Sequence, residues 1–348
     1  MRSNDQEVLQ QALVWQQQGL RCVLVTVLST YGASPRPPGA MAVISETGLI
    51  VGSVSGGCVE DDLVHEVRQN VFWAPDAPAV ALRTYGRDAA ERERYRLPCG
   101  NALRLAVEAN WSPQDLTQAL AAMQQGLCVH KQLNYASAEA QWQALTPDQA
   151  SPLDFSDSDH GFAVVLGPRH RLLIIGATEV SRYLCPIAQS LGYAITVCDP
   201  REEYTGSWSD MNVKLIRDMP DDTVQGFACD ERTAVITVTH DPKLDDLALM
   251  EALKSPAFYV GALGSTLTTR KRQTRLLEFD VTPQQVAQLK GPVGLPIGSR
   301  TPAEIAVSIA AELIQVRSLI GTPDWRQSRP DWMPASHPSA LTTPCSLA

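Results

Sequence analysis

The sequence has no apolar run approaching the ~18 residues needed to span a membrane as a helix. It has no Cys-x-x-Cys pair either. Its eight cysteines stand far apart, at 22, 58, 99, 128, 185, 198, 229 and 345, which argues against a zinc site. Positive charge is in deficit: 29 Lys and Arg against 38 Asp and Glu leave a formal net charge of −9. That balance argues against broad binding to nucleic acid or to an anionic membrane. The opening MRSNDQEV lacks the apolar core of a signal peptide, so the cysteines are expected to be cytosolic thiols rather than a disulfide framework. What remains is ordinary for a globular protein. The chain has 348 residues, 44% hydrophobic and 19% charged, enough for two domains with sizeable cores.

The chain is organised around GSVSGGCVE, Gly52 to Glu60. An apolar run, Leu49-Ile50-Val51, precedes it. A segment with Val59, Leu63, Val64, Val67 and Val71 on one helical face follows. The pattern predicts a strand, a small-residue turn and a helix. Gly56 and Gly57 let backbone amides approach a ligand closely, and a helix start presents its free N–H groups. A thiol there, Cys58, is expected to have a lowered pKa. The spot suits an anion, a soft metal centre or both; the alternative is a tight turn with a half-buried cysteine.

Around this stretch, Asn4 with Glu7 resembles a capping box and Gly19 a helix stop, with Val8, Leu9, Ala12 and Leu13 inward. Cys22 to Leu28 predicts a buried strand, and Ser29 to Ala40 a loop set by proline and glycine. Met41 to Ile44 and Leu49 to Val51 predict a hairpin. After a strand at Ala79 to Tyr85 come Arg83, Arg87, Arg92, Arg94 and Arg96 among acidic residues. They predict a solvated loop, with a phosphate clamp as the alternative. Cys99 sits in a Pro-Cys-Gly turn with Gly100, ahead of an alternating strand through Leu103, Leu105 and Val107. Two such thiols in one pocket would suit a soft metal or sulfur transfer. Ser112-Pro113 opens a helix to about Gln125, Leu127 to Leu133 predicts a strand, and the acidic Ala150 to Gly161 predicts a turn or linker.

The second half predicts a parallel α/β domain. RLLIIG (Arg171 to Gly176), a helix over Glu179 to Leu191 and a strand over Ala194 to Cys198 ending at Asp199 form the opening βαβ of a Rossmann-type sheet. Further strands are expected at Val213 to Ile216, Ala234 to Thr239 and Ala257 to Val260. The glycine fingerprint is broken, because its three positions hold Gly176, Thr178 and Ser181. Asp199 lies where a ribose would be bound. His240-Asp241 offers an acid–base pair or, ahead of Pro242, a helix cap. Gly261 to Ser265 offers a phosphate cradle before Arg270, Lys271 and Arg272, or a plain loop with a basic helix face. Thr301 and Glu304 form a capping box with Pro302 at the first helical position, and the tail after Gly321 is rich in proline and expected to be disordered.

Taken in order, GSVSGGCVE, LPCGN, RLLIIGATEV, VCDPREEY, VTHDPKLDD, YVGALGS with RKR, and GLPIGSRTPAEIAVSIAAELI resemble the XdhC–CoxI proteins. These are accessory factors of xanthine dehydrogenase and related molybdenum hydroxylases, and the likeness spans roughly residues 22 to 320. It implies an α/β fold with an N-terminal XdhC–CoxI domain (1–168), a C-terminal Rossmann-like domain (169–321) and the proline-rich tail (322–348). It also implies a cytoplasmic chaperone rather than an enzyme. Such a chaperone would bind molybdenum cofactor, as molybdopterin or its dinucleotide form, transiently. It would assist sulfuration by a cysteine desulfurase and deliver the cofactor to an apo-molybdoenzyme of the xanthine oxidase family. A molybdopterin nucleotidyltransferase and self-association are further implied partners.

The family's GGC and PCG cysteines map onto Cys58 and Cys99, so Gly56, Gly57, Cys58, Cys99 and Gly100 are the expected cofactor contacts. The two thiols would face molybdenum. Gly176, Asp199, Gly261, Gly264 and Ser265 are candidate nucleotide or phosphate positions. This chain departs from the family at the first Rossmann turn, where Gly-Ala-Thr-Glu (176–179) replaces Gly-Ala-Gly-His. The competing expectation is a nicotinamide-dependent oxidoreductase using the Rossmann-like domain.

Overall fold

The structure, a computed structural model, describes residues 4–31, 36–57, 59–95, 102–146, 155–206, 208, 211 and 213–319. Cys58, Cys99, Gly100 and the proline-rich tail therefore lie outside the described residues. The chain divides into two compact units, the first Asn4–Gly167 and the second beginning at Pro168.

The first unit opens with α1 (Asn4–Gln17), β1 (Cys22–Tyr31), β2 (Met41–Ser45) and β3 (Ile50–Gly52). It continues with α2 (Glu60–Arg68), a single 3-10 turn at Val71–Trp73, β4 (Val80–Tyr85), α3 (Ala89–Arg94) and β5 (Ala102–Glu108). The strands make an antiparallel sheet in the order β3-β2-β1-β5-β4. One face, through Val23, Val25, Ile44, Leu103 and Leu105, packs on Leu63 and Val67 of α2. The other, through Leu24, Leu28, Met41 and Val43, packs on Val8, Leu9 and Ala12 of α1. The arginine-rich stretch departs from the expected loop. Arg83 lies in β4, and Asp88 accepts from the amide of Glu91 at 2.9 Å and starts α3 there, so part of the stretch is helical; Arg96 lies outside the described residues.

After α4 (Pro113–Gln124), capped by Ser112 with Pro113 in its first turn, come β6 (Cys128–Asn134), β7 (Ala140–Leu145), β8 (Phe155–Asp157) and β9 (Gly161–Leu166). They form a second antiparallel sheet, β7-β6-β9-β8. The expected linker at Ala150 to Gly161 thus contains β8. Strand β5 ties the two sheets with charges four residues apart. Arg104 Nη1 reaches Asp157 at 2.8 Å, and Glu108 receives Lys131 Nζ at 2.6 and 2.7 Å. Tyr135 donates its hydroxyl to the other oxygen of Asp157 at 2.6 Å.

In the second unit, β10 (His170–Ile175), α5 (Glu179–Ser190), β11 (Tyr193–Cys198), α6 (Glu202–Thr205), β12 (Lys214–Ile216) and α7 (Pro220–Phe227) come first. Then follow β13 (Thr233–Thr237), α8 (Pro242–Ala252), β14 (Tyr259–Ala262), α9 (Thr266–Leu277), α10 (Pro283–Val286) and α11 (Pro302–Leu319). All five strands are parallel, in the order β12-β11-β10-β13-β14. Both faces are covered, which is why these strands are apolar throughout. Leu172 and Ile174 face Leu184 of α5 and Ile309 and Leu313 of α11. Leu173 and Ile175 face Val224 of α7, Leu249 of α8 and Leu276 of α9. The expected cap on α11 is present, with Glu304 accepting from the Thr301 amide at 2.9 Å and Thr301 Oγ1 from the Glu304 amide at 3.3 Å.

Candidate functional site

The stretch from Gly52 onward leaves β3 through a backbone only glycine accepts. At Gly52 φ is +84°, and a Cβ would stand 2.4 Å from the carbonyl oxygen of Met41 and 2.6 Å from Val8 of α1. Position and direction of the loop are therefore fixed by how closely α1 packs on the sheet. Gly56 and Gly57 also have positive φ. In contrast to Gly52, a Cβ on Gly57 would meet no described atom within 4 Å, so this side of the loop is open.

The loop closes around a carboxylate of its own. Glu60 Oε1 accepts from the amides of Val54 and Ser55, both at 3.0 Å, and from the Ser53 hydroxyl at 2.8 Å. Oε2 accepts from the amides of Gly57 at 3.0 Å and Val59 at 3.3 Å, and from the Ser55 hydroxyl. The Gly56 amide donates to Ser53 Oγ at 3.0 Å. Burial would raise the carboxyl pKa of Glu60, but the donors from Ser55, Ser53 and Val54 outweigh it and hold it at about 2. The amides expected to await an external anion thus already hold an internal one. The first turn of α2 adds Asp61 and Asp62, so its surface is acidic. In the sequence, position 58 falls between two residues whose amides share one oxygen of Glu60.

Sequence reasoning passed over Glu60, although a glutamate directly after a serine- and glycine-rich turn, at the first position of a helix, is the pattern that gathers free amides. Other cysteines lie in apolar segments. Cys22, Cys128, Cys185 and Cys198 are buried, and burial pushes the thiols of Cys22 and Cys185 up to about 12 and that of Cys198 to about 11. Among the described residues no group of His, Cys, Asp and Glu could hold a metal ion, and no helix is long and apolar enough to cross a membrane.

The candidate positions of the second unit gather at the carboxyl ends of its strands; Gly176, Asp199 and Gly261 are buried there, Gly264 is half-buried and Ser265 is exposed. At Gly176, φ is +119° and a Cβ would lie 2.9 Å from the amide nitrogen of Thr239. Asp199 is fully buried. Its Oδ2 accepts from the Ala177 amide and Arg201 Nη2, both at 2.8 Å; its Oδ1 accepts from Arg201 Nε at 2.9 Å and the Arg201 amide at 3.1 Å. Gly261 is crowded by the Tyr259 ring and Val293, and Gly264 by Thr268. Ser265 caps α9 by accepting from the Thr268 amide at 3.1 Å. Asp241 caps α8, accepting from the Lys243 amide at 2.9 Å, and His240 precedes it in a left-handed conformation. Arg270 and Lys271 are exposed, whereas Arg272 is buried against Asp245 at 2.8 Å and Asp246 at 3.2 Å. The expected basic face is therefore divided between solvent and core.

An antiparallel α/β unit followed by a parallel Rossmann unit makes this a two-domain α/β protein. Residues 15–86 match the XdhC and CoxI family, and residues 172–313 match the XdhC Rossmann domain. The chain belongs to the XdhC and CoxI family. It is 28% identical over 299 residues to the molybdenum cofactor insertion chaperone PaoD of Escherichia coli K12, covering 86% of this chain and 84% of that one. It is 26% identical over 324 residues to a Bacillus subtilis 168 protein described as a probable xanthine dehydrogenase subunit, covering 86% and 94%. A solved structure described as a xanthine dehydrogenase from Bacillus halodurans superposes with a TM-score of 0.70 at 23% identity, over 91% of this chain and 98% of that one. This likeness speaks for the fold alone.

Proposed function

We propose that this protein is a chaperone for molybdenum cofactor. It carries the cofactor as cargo, assists its sulfuration together with a cysteine desulfurase, and inserts it into an apo-molybdoenzyme of the xanthine dehydrogenase and aldehyde oxidoreductase class. It works in the cytoplasm, as a self-associating protein, and without catalytic turnover of its own. The observation that carries this reading is the likeness to a molybdenum cofactor insertion chaperone along 86% of this chain and 84% of the relative, which takes in both domains.

The loop before α2 suits such cargo in a particular way. Its amides at Val54, Ser55, Gly57 and Val59 are spent on Glu60, so a pterin phosphate is not held by them. The loop instead presents a rigid, open turn at Gly56 and Gly57 beside Cys58. Cys58, with Cys99 next to Gly100, would supply soft sulfur toward the molybdenum centre, where thiolates are favoured over oxygen donors. Gly56 and Gly57 before Cys58, and Gly100 after Cys99, would leave room for a bulky ligand.

The test is to make the protein in a molybdenum-replete host, release bound material with acid, and assay pterin fluorescence and metal. Co-purifying pterin and molybdenum are expected. Their absence, with NADH-dependent turnover in their place, would establish a nicotinamide oxidoreductase instead.

A further inference from the structure

In open α/β sheets ligands settle at the carboxyl ends of the strands, where neighbouring connections part to opposite faces. Here that point lies between β10 and β13, because the helix after β10 covers one face and the helix after β13 the other. One side chain crosses it. Arg201, three residues beyond β11, forks onto Asp199 through Nε and Nη2, and its Nη1 reaches over to the carbonyl oxygen of Thr239, beyond β13, at 3.4 Å. Its guanidinium lies 3.9 Å from the centre of the Tyr204 ring, which is exposed.

Asp199 occupies the place where a Rossmann carboxylate receives the hydroxyls of a ribose. A ribose diol offers two O–H donors, and the fork of a guanidinium likewise offers two N–H donors. Both oxygens of Asp199 already hold Arg201, and the Ala177 amide, which opens the glycine turn, points at the same carboxylate. The donors that a ribose would bring to Asp199 are thus already supplied by the chain itself.

We propose that Arg201 is an internal strap that shuts this crevice to ribonucleotides by occupying the carboxylate a ribose would bind. A nucleotide enters only when the guanidinium leaves Asp199; in the closed arrangement the guanidinium is also held over the exposed ring of Tyr204. Once the strap is released, the ligand class favoured is a nucleoside monophosphate rather than a dinucleotide. Thr178 stands where the fingerprint has its second glycine, and its side chain crowds a pyrophosphate.

The affinity of a site whose open form is rarely populated falls by that fraction, so removing the strap raises apparent affinity without any new contact. The experiment is calorimetric titration of the full-length chain with adenosine monophosphate and with NAD+. Wild type is expected to bind neither. Arg201→Ala should bind adenosine monophosphate at least about tenfold more tightly than wild type and more tightly than NAD+. Adding Asp199→Asn should remove that gain. Since Arg201→Ala strands a buried carboxylate, Arg201→Lys is the second variant. It keeps the charge but lacks the fork and the reach to Thr239, and should show the same gain to a smaller extent. Wild type binding as tightly as either variant overturns the proposal. So does the lack of any gain in a variant with wild-type circular dichroism and melting, or a gain that survives Asp199→Asn.

Discussion

Lys131 gives its ammonium to both oxygens of Glu108, at 2.6 and 2.7 Å, with side chains 1% and 3% exposed. The Lys131 ammonium also lies 5.1 Å from the Trp142 ring centre and 5.4 Å from that of Phe162. Removing one partner strands a charge in the space between two sheets. Lys131→Met should therefore destabilise the protein by about 3–5 kcal/mol, while Lys131→Met with Glu108→Leu should recover most of that. Urea unfolding of the two variants beside wild type checks this; equal losses in both would show that packing, not charge, dominates there.

Glu60 makes stability pH-dependent in one direction. Its carboxyl lies at about 2 in the folded protein, against an ordinary value of 4.5. A lowered folded pKa stabilises above the unfolded value and loses that stabilisation as pH falls through the window toward the folded one. Wild type should lose on the order of 3 kcal/mol between about pH 5 and pH 2 from this group. Glu60→Gln should be less stable at pH 7, because its amide group opposes the loop's own donors, and this part of the acid dependence should vanish. Thermal melts followed by circular dichroism across that range provide the measurement.

Two glycines with positive φ should respond unequally to a methyl group. Gly57→Ala meets only backbone strain and should cost about 1–2 kcal/mol, leaving the fold intact. Gly176→Ala meets the same strain plus the backbone of Val238 and Thr239 at 2.9 Å, for a loss of about 2–5 kcal/mol. Melting temperatures rank them. A Gly57 variant that unfolds would mean that the open side of the loop is in fact occupied.

Single cysteine variants separate structure from cargo. Cys58→Ala should keep wild-type circular dichroism yet retain less molybdenum cofactor per folded monomer. Cys185→Ala and Cys198→Ala, in the core of the Rossmann unit, should lower the melting temperature and leave retention unchanged. Undiminished retention in Cys58→Ala would remove the thiol from the proposed site.

How far the fold can be deduced from sequence depends on which forces set each element. β10, β11 and β13 are buried on both faces, so they appear as unbroken apolar runs, and their alternation with helices gives the parallel sheet directly. The Thr301–Glu304 box and the Asp241 cap are local chemistry and equally plain. By contrast, β7 (AQWQAL) has one wet face and mixes glutamine with tryptophan, and β8 is three residues long. Neither carries enough periodic signal to stand out. The Lys131–Glu108 and Arg201–Asp199 pairs are hidden for different reasons. The first joins strands that only tertiary packing brings together. The second is close in sequence, yet nothing local says that an arginine will take the place of a ligand.

The packing of α11 on α5 bears on how the protein is made. Val180, Leu184 and Ala188 are covered by Ile309, Ala310 and Leu313, and Arg317 donates to the carbonyl of Leu191 at 3.2 Å. The first helix of the Rossmann unit therefore waits for the last. At roughly 5–20 residues per second, that apolar stripe emerges from the ribosome on the order of ten seconds before its cover is synthesised. The nascent half-domain is the stage at which this protein would itself most need a chaperone, and a stop codon placed ahead of residue 302 should yield a product that aggregates rather than a smaller folded unit.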